Sequence, residues 1–358
     1  MNAARDTADD GQRDEGRAVA PTNTGLLPWT LPLLQRLLAS RASLPHAMMI
    51  TGAAGIGKRS IAMHMAQALL CEAPRDDGLA CSRCPSCGYF AAGQHPDLRV
   101  LEPLKIDDDG DVKRLDAIPV EQVRELRDLV ELTTHRGGNK VGVIVPAERM
   151  NTAAANALLK TLEEPPAGTY LLLVAHQPGR LPATITSRCR RIPVQPPDRE
   201  AARRWLAEQG VDNATAILAQ ANGAPLAALG LADPAAQAER AVWLAALAEP
   251  RTLSPTLLSA RIDAGARELR KDRLADAIDW LIAWTTDLAR VAAGAPAVVN
   301  PDRAGALEPL AARVARISLS RYHRELLRQR ARIAHPLTPR LAVEALLIDY
   351  RALFDHGR

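Results

Sequence analysis

Two sets of residues in this 358-residue chain have the types and spacing to do chemistry. The first is GAAGIGKR, residues 52–59. It follows G-x-x-x-x-G-K-[S/T], the spacing of a phosphate-binding loop. In such a loop backbone amides cradle phosphates, the lysine reaches the outer ones, and the hydroxyl ligates Mg²⁺. Gly52, Gly57 and Lys58 fit, and Arg59 stands where the hydroxyl belongs. The loop keeps an anion cradle and loses its metal ligand. Ser60 comes one position late, about 100° further round the helix that starts here. The second set, Cys71, Cys81, Cys84 and Cys87, reads C-x9-C-x2-C-x2-C and leaves only Cys189 outside. Two-residue gaps let thiolates converge on one tetrahedral zinc, with Pro85 and Gly88 supplying the turns. Four sulfurs leave no open position for water, so the metal is expected to be structural.

The elements that must position these residues are legible in outline. LPHAMMITG (44–52) is a short apolar strand entering the loop, and IAMHMAQALL (61–70) belongs to the helix leaving it. DLRVLEP (97–103), KVGVIV (140–145) and TYLLLVA (169–175) read as further strands, and LPATITSRCRRIPV (181–194) leads into a last one. Helices between them start at Pro119 and at Asn151 or Thr152, the latter stopped by Pro165. Strands alternating with helices predict a parallel α/β sheet covered on both faces. The acidic run DDDGD, 107–111, reads as a solvated turn, since the distal ligands of a calcium loop are missing. A nucleotide hydrolase of this architecture needs an Asp and a Glu at the end of the buried strand 140–145. This chain offers Val145 and Pro146 there, with Glu148 beyond the strand end.

Composition excludes little: the net charge is +4 and aromatics make up 3% of the chain, while Ala and Leu dominate and favour helix. No apolar run reaches the roughly twenty residues of a membrane span, and the first two dozen residues have no apolar core of a signal sequence. The expectation is a cytoplasmic protein with a disordered leader at 1–24.

HPDL (95–98), NALLKTLEEPP (156–166) and TSRC (186–189), together with the four-cysteine insertion, make the chain resemble the bacterial clamp-loader branch of the AAA+ proteins, which open the sliding clamp of DNA polymerase III. The resemblance implies an AAA+ α/β domain over 25–195 with the zinc module at 71–87, a small helical lid over 196–237, and a helical C-terminal collar over 238–358 that holds a five-subunit ring together. It implies gamma/tau-type motor and delta-type partners, the sliding clamp, and primer-template DNA met through the assembly rather than by this chain alone. It also implies that Arg188 is an arginine finger, supplied in trans to a neighbour's ATP; composition by itself favours an ordinary basic strand edge of Arg188, Arg190 and Arg191. Cys189 is expected to be a buried thiol beneath it.

In the lid, PPDREAARRWLAEQG (196–210) and DNATAILAQANGAPLAAL (212–229) read as two helical segments, and the family's sensor arginine aligns with Leu226. The missing hydroxyl, acids and sensor arginine together predict a non-motor subunit with no intrinsic ATPase activity. Whether Arg59 adds charge to the cradle or fills the metal position in an internal ion pair stays open, with the balance toward little or no nucleotide binding. The competing expectation is an ATP-hydrolysing clamp-loader motor subunit or another AAA+ ATPase. Arg199, Arg203 and Arg204 read as a solvated or inter-subunit face, Trp280 and Trp284 as core, and Leu341, Ala345, Ile348 and Leu353 as an apolar stripe on the last helix.

Overall fold

The apolar run entering the loop is strand β1 (Ala47–Thr51), whose first four residues are buried. In this computed structural model, which describes residues 25–106, 112–134, 138–264, 267–333 and 338–355, β1 lies within a parallel sheet. Among the described residues that sheet also holds β2 (Leu98–Leu101), β5 (Lys140–Ile144), β6 (Thr169–Ala175) and β7 (Arg190–Pro193), in the order β2-β5-β6-β1-β7. Every neighbouring pair is parallel. The central strands read as unbroken apolar runs because both their faces are covered. A short antiparallel pair, β3 (Leu104–Ile106) and β4 (Val112–Arg114), stands apart from the sheet. The acidic turn expected at 107–111 and the leader at 1–24 lie outside the described residues.

Six helices accompany the sheet among the described residues: α1 (Leu31–Leu38), α2 (Lys58–Leu70), α3 (Pro85–Ala91), α4 (Val120–Glu131), α5 (Thr152–Glu163) and α6 (Ala183–Thr186). Asn151 caps α5, its side chain accepting from the Ala154 amide at 2.7 Å. Gly142 in β5 has a packing reason. A Cβ there would lie 2.7 Å from Leu126 Cδ1 of α4 and 2.9 Å from Leu171 Cδ2 of β6, so only glycine lets that helix sit so close. Leu126, Leu158, Leu171, Ile185 and Cys189 share one buried cluster.

Two compact units divide the chain: one holds residues up to Thr51 and Lys58–Pro193, the other Gly52–Gly57 with Val194 onward. In the second unit the segment read as a single helix over 212–229 is two, α8 (Ala214–Gln220) and α9 (Pro225–Leu231), bent by 106° and following α7 (Arg199–Glu208). Asn222 and Gly223 between them take left-handed backbone (φ +50° and +80°), and Pro225 restarts the helix. Ala202, Leu206, Leu218 and Ala228 close a small core among the three.

The rest is helical: α10 (Pro234–Ala248), α11 (Pro255–Ser259), α12 (Arg270–Ala292), α13 (Ala304–Ala311), α14 (Arg316–Ala331) and α15 (Pro339–Ala352). Trp284 is fully buried here and donates to Tyr350 Oη at 2.8 Å, while Trp280 leans on Trp243 at 5.8 Å between ring centres. Both tryptophans are core. On α15 the residues facing the core are Val343, Leu346, Leu347 and Tyr350. Leu341, Ala345 and Ile348 of the expected stripe face outward instead, with Leu341 62% exposed, while Leu353 packs against the core.

Candidate functional site

Lys58 opens α2 and is buried, with 2% of its surface exposed. Burial pulls its pKa down to about 8, against the opposing charge of Glu148. Glu148 sits on the 3₁₀ turn Ala147–Arg149 that follows β5. Its Oε1 accepts from the amides of His176 and Gln177, at 2.9 and 3.0 Å, just past the end of β6. Glu148 Oε2 and His176 Nδ1 are buried without a hydrogen-bond partner among the described residues. His176 is held toward its neutral form by burial and by the charge of Lys58, against Glu148. A carboxylate therefore does act on the loop lysine, although Val145 and Pro146 supply none. Sequence reasoning missed this because Glu148 lies beyond the strand and reaches back only after the 3₁₀ turn.

Arg59 does not point free into the cradle. It holds Glu102, which follows β2, in a two-pronged pair, Nε to Oε1 at 2.8 Å and Nη2 to Oε2 at 3.2 Å. Of the two arrangements left open by sequence, the internal ion pair is the one present. Ser60, the displaced hydroxyl, is buried against His64 Nδ1 at 3.3 Å.

The loop itself is covered within the second unit. Gly55, at φ +76°, accepts from the amide of Leu226 at 2.9 Å, and a Cβ on it would meet Ala227 N at 2.8 Å. At Leu226, where the sequence reading expected the sensor position, the group that engages the loop is the backbone amide.

The cysteines converge: the four sulfurs of Cys71, Cys81, Cys84 and Cys87 lie within 4.8 Å of one another. A tetrahedral zinc with Zn–S near 2.3 Å asks for sulfurs about 3.8 Å apart, so the donor set fits zinc. Amides already point at the sulfurs, Cys81 N to Cys71 Sγ at 3.3 Å, Cys84 N to Cys81 Sγ at 3.3 Å and Cys87 N to Cys84 Sγ at 3.4 Å. The Arg83 amide draws the Cys81 thiol down to a pKa of about 6, toward the thiolate a metal requires, whereas burial raises that of Cys87. The HPDL segment anchors this module. Asp97 N donates to His95 Nδ1 at 3.1 Å, which leaves the ring proton on Nε2 for Ser86 Oγ at 2.7 Å. Ser86 in turn donates to Leu70 O at 2.6 Å, tying α3 to the end of α2.

Arg188 follows α6 and reaches Glu163, in the LEEPP run, at 2.5 Å, with both side chains substantially exposed. Its Nη1 also donates to Thr184 O at 3.0 Å. The TSRC and NALLKTLEEPP motifs, far apart in sequence, thus meet at one surface ion pair. Cys189 beside it is buried, and that burial raises its thiol to about 11.

A family model described as DNA polymerase III, delta subunit, matches residues 29–198. The DNA polymerase III subunit delta' of Pseudomonas aeruginosa is 38% identical over 74% of this chain and 77% of its own length. The chain belongs to the delta-prime family of DNA polymerase III subunits. The delta-prime protein of Haemophilus influenzae is 34% identical, with the same shares of the two chains covered. A tau subunit of DNA polymerase III from Salmonella typhimurium is 32% identical over 87% of this chain but only 50% of its own length. In this delta-prime family member the parallel sheet and the four-cysteine cluster stand as expected. Among the described residues no single helix is long and apolar enough to cross a membrane.

Proposed function

We propose that this delta-prime family chain is a non-hydrolysing, cytoplasmic subunit of the clamp loader. It sits in a hetero-pentameric ring with gamma/tau-type motor subunits and a delta-type subunit. The ring uses ATP to load the sliding clamp onto primer-template DNA. The division into an α/β domain over 25–195, a lid over 196–237 and a collar over 238–358 belongs to the same reading, as does one structural zinc on Cys71, Cys81, Cys84 and Cys87.

The observation that carries the non-hydrolysing role is the Arg59–Glu102 pair. The position of the metal-binding hydroxyl is taken by a guanidinium whose two prongs are committed to a carboxylate. Mg²⁺ beside it would be repelled and would find no oxygen ligand from the loop. Gly52, Gly57 and Lys58 then form a loop that binds nucleotide weakly or not at all. Arg188 acts on a partner: it leaves Glu163 and approaches the phosphates of a neighbouring motor's ATP, where its positive charge offsets charge developing in the transition state.

ATP turnover by the reconstituted loader with clamp and primed DNA tests both halves. The chain alone should turn over no ATP, and the assembled ring should hydrolyse in a manner that depends on Arg188. A second reading, a motor, draws support from the Glu148 charge acting on Lys58. Metal-dependent hydrolysis by the isolated chain, lost in Glu148→Gln, would establish that reading and overturn the first.

A further inference from the structure

Helix α14 buries Leu319, Tyr322 and Leu326 and turns a different chemistry outward. Arg321, Arg324, Arg328 and Arg332 are all exposed, the last just past the helix end. Their spacing of three, four and four residues keeps them within about 80° of one another around the axis, along a rise of about 16 Å. Ile317, 70% exposed, begins the same face.

The carboxylates nearby do not neutralise this ladder. Glu325, the only acidic residue in α14, pairs with Arg328 at 3.2 Å. Asp279 of α12 is held by Arg330 at 2.7 Å, on the flank of the helix. Among the described residues Arg321, Arg324 and Arg332 make no ion pair, and the one carboxylate charge Arg332 shares is that of Glu325, already held by Arg328. Attraction of cations to a helix C-terminus accounts for basic residues in the last turn and not for Arg321 or Arg324. Like charges three and four apart cost the helix a few tenths of a kcal/mol each, so the ladder opposes folding rather than aiding it.

We propose that this face of α14 binds the phosphate backbone of DNA. A strand advances about 3.4 Å per phosphate along the helix axis, so about 16 Å of arginines spans four or five phosphates of one strand. Tyr322, the only aromatic residue in the helix, is buried, so the face carries no platform for stacking bases. Binding is therefore to the backbone and independent of base sequence. This site belongs to the chain alone, and it stands or falls independently of the ring role of Arg188.

The test is fluorescence anisotropy of the full-length chain with labelled short duplex and single-stranded DNA over a salt series. It compares wild type, the triple variant Arg321→Ala/Arg324→Ala/Arg332→Ala, and Arg199→Ala/Arg203→Ala on α7 as a basic-surface control. Four phosphate contacts on duplex give a log–log salt slope of about −3.6, and the triple variant should flatten it by about 2.7. Between about 50 and 200 mM salt that difference amounts to roughly forty-fold in affinity. Unchanged melting in the variant shows that the fold is intact, and the control pair should leave the slope in place. A slope and affinity unchanged in the triple variant overturn the proposal. So does intact DNA binding together with loss of assembly into the ring, which would make the ladder a contact for an acidic protein surface.

Discussion

Replacing Arg188 with alanine separates a structural from a functional arginine because the two roles differ in size. The substitution removes the 2.5 Å pair with Glu163 and the 3.0 Å bond to Thr184 O. The side chains are 37% and 49% exposed, so the pair stands in a high dielectric and is worth about 0.2–1 kcal/mol. In a domain this large that moves Tm by no more than about 2–4 °C. An arginine acting on a transferring phosphate contributes far more, roughly 10³–10⁵ in rate in GTPases. We set the threshold for a functional role well below that, at about tenfold at the facing site, equal to about 1.4 kcal/mol. The assay is single-turnover ATP hydrolysis by the assembled ring, in which only the motor facing this chain should slow. Glu163→Ala supplies the contrast: it removes the same ion pair but frees Arg188. Its melting should match that of Arg188→Ala while its turnover stays at or above wild type. Equal turnover in wild type and Arg188→Ala, or parallel loss in both variants, would refute the trans role and leave the pair as a surface fastening.

The four-sulfur cluster predicts that chelating zinc lowers the melting temperature and exposes the 71–87 segment to protease; unchanged melting after verified metal removal would argue against a structural site. Lys58 predicts an alkaline dependence. Its folded pKa of about 8 lies below the ordinary 10.5, so the unfolded chain binds the proton more tightly and folding gains stability as pH rises from about 8 to 10.5. The gain is up to about 3 kcal/mol, read as the difference between urea unfolding of wild type and Lys58→Met at each pH; a difference that does not vary with pH would mean that Lys58 is not desolvated. Restoring the loop consensus with Arg59→Thr should free Glu102 without producing ATP hydrolysis, and measurable turnover by that variant alone would show that the hydroxyl was the only missing part.

The strands, the glycine-rich loop entering α2 and the convergence of the four cysteines were legible because each is local. A five-residue apolar run, a glycine spacing and a cysteine spacing all declare themselves within about ten residues. The break at Asn222–Gly223 was not legible, since ANGAPLAAL also carries enough alanine and leucine to continue a helix. It took two left-handed residues and a helix-starting proline together to turn the chain by 106°. On α15 the apolar residues Leu341, Ala345 and Ile348 sit at helical spacing just as Val343, Leu347 and Tyr350 do. The sequence reading picked the first of these equally spaced sets, and the core takes the second. Glu102 was invisible as a site residue, and Glu148 was set aside as lying beyond the strand end, for a different reason. Each joins its partner over more than 25 residues of sequence, and nothing in a local pattern encodes which carboxylate an arginine or an amide will meet.

On the proposed non-hydrolysing reading, those two carboxylates explain how a loop can keep its shape without its ligand chemistry. In a working phosphate site the cations and amides wait for the nucleotide's charge. Here Glu102 takes the guanidinium of Arg59, the Glu148 charge acts on Lys58, and Leu226 N donates to Gly55 O. The two cations beside the loop thus each meet a carboxylate charge from the chain itself, and a loop carbonyl has gained a donor. A buried cation left without a countercharge costs several kcal/mol, so on that reading such carboxylates let the fold survive without a nucleotide. Single reversions toward the consensus then disturb internal pairs before they rebuild a site. On the proposed reading, nucleotide binding would then require changes at Arg59, Glu102 and Glu148 together.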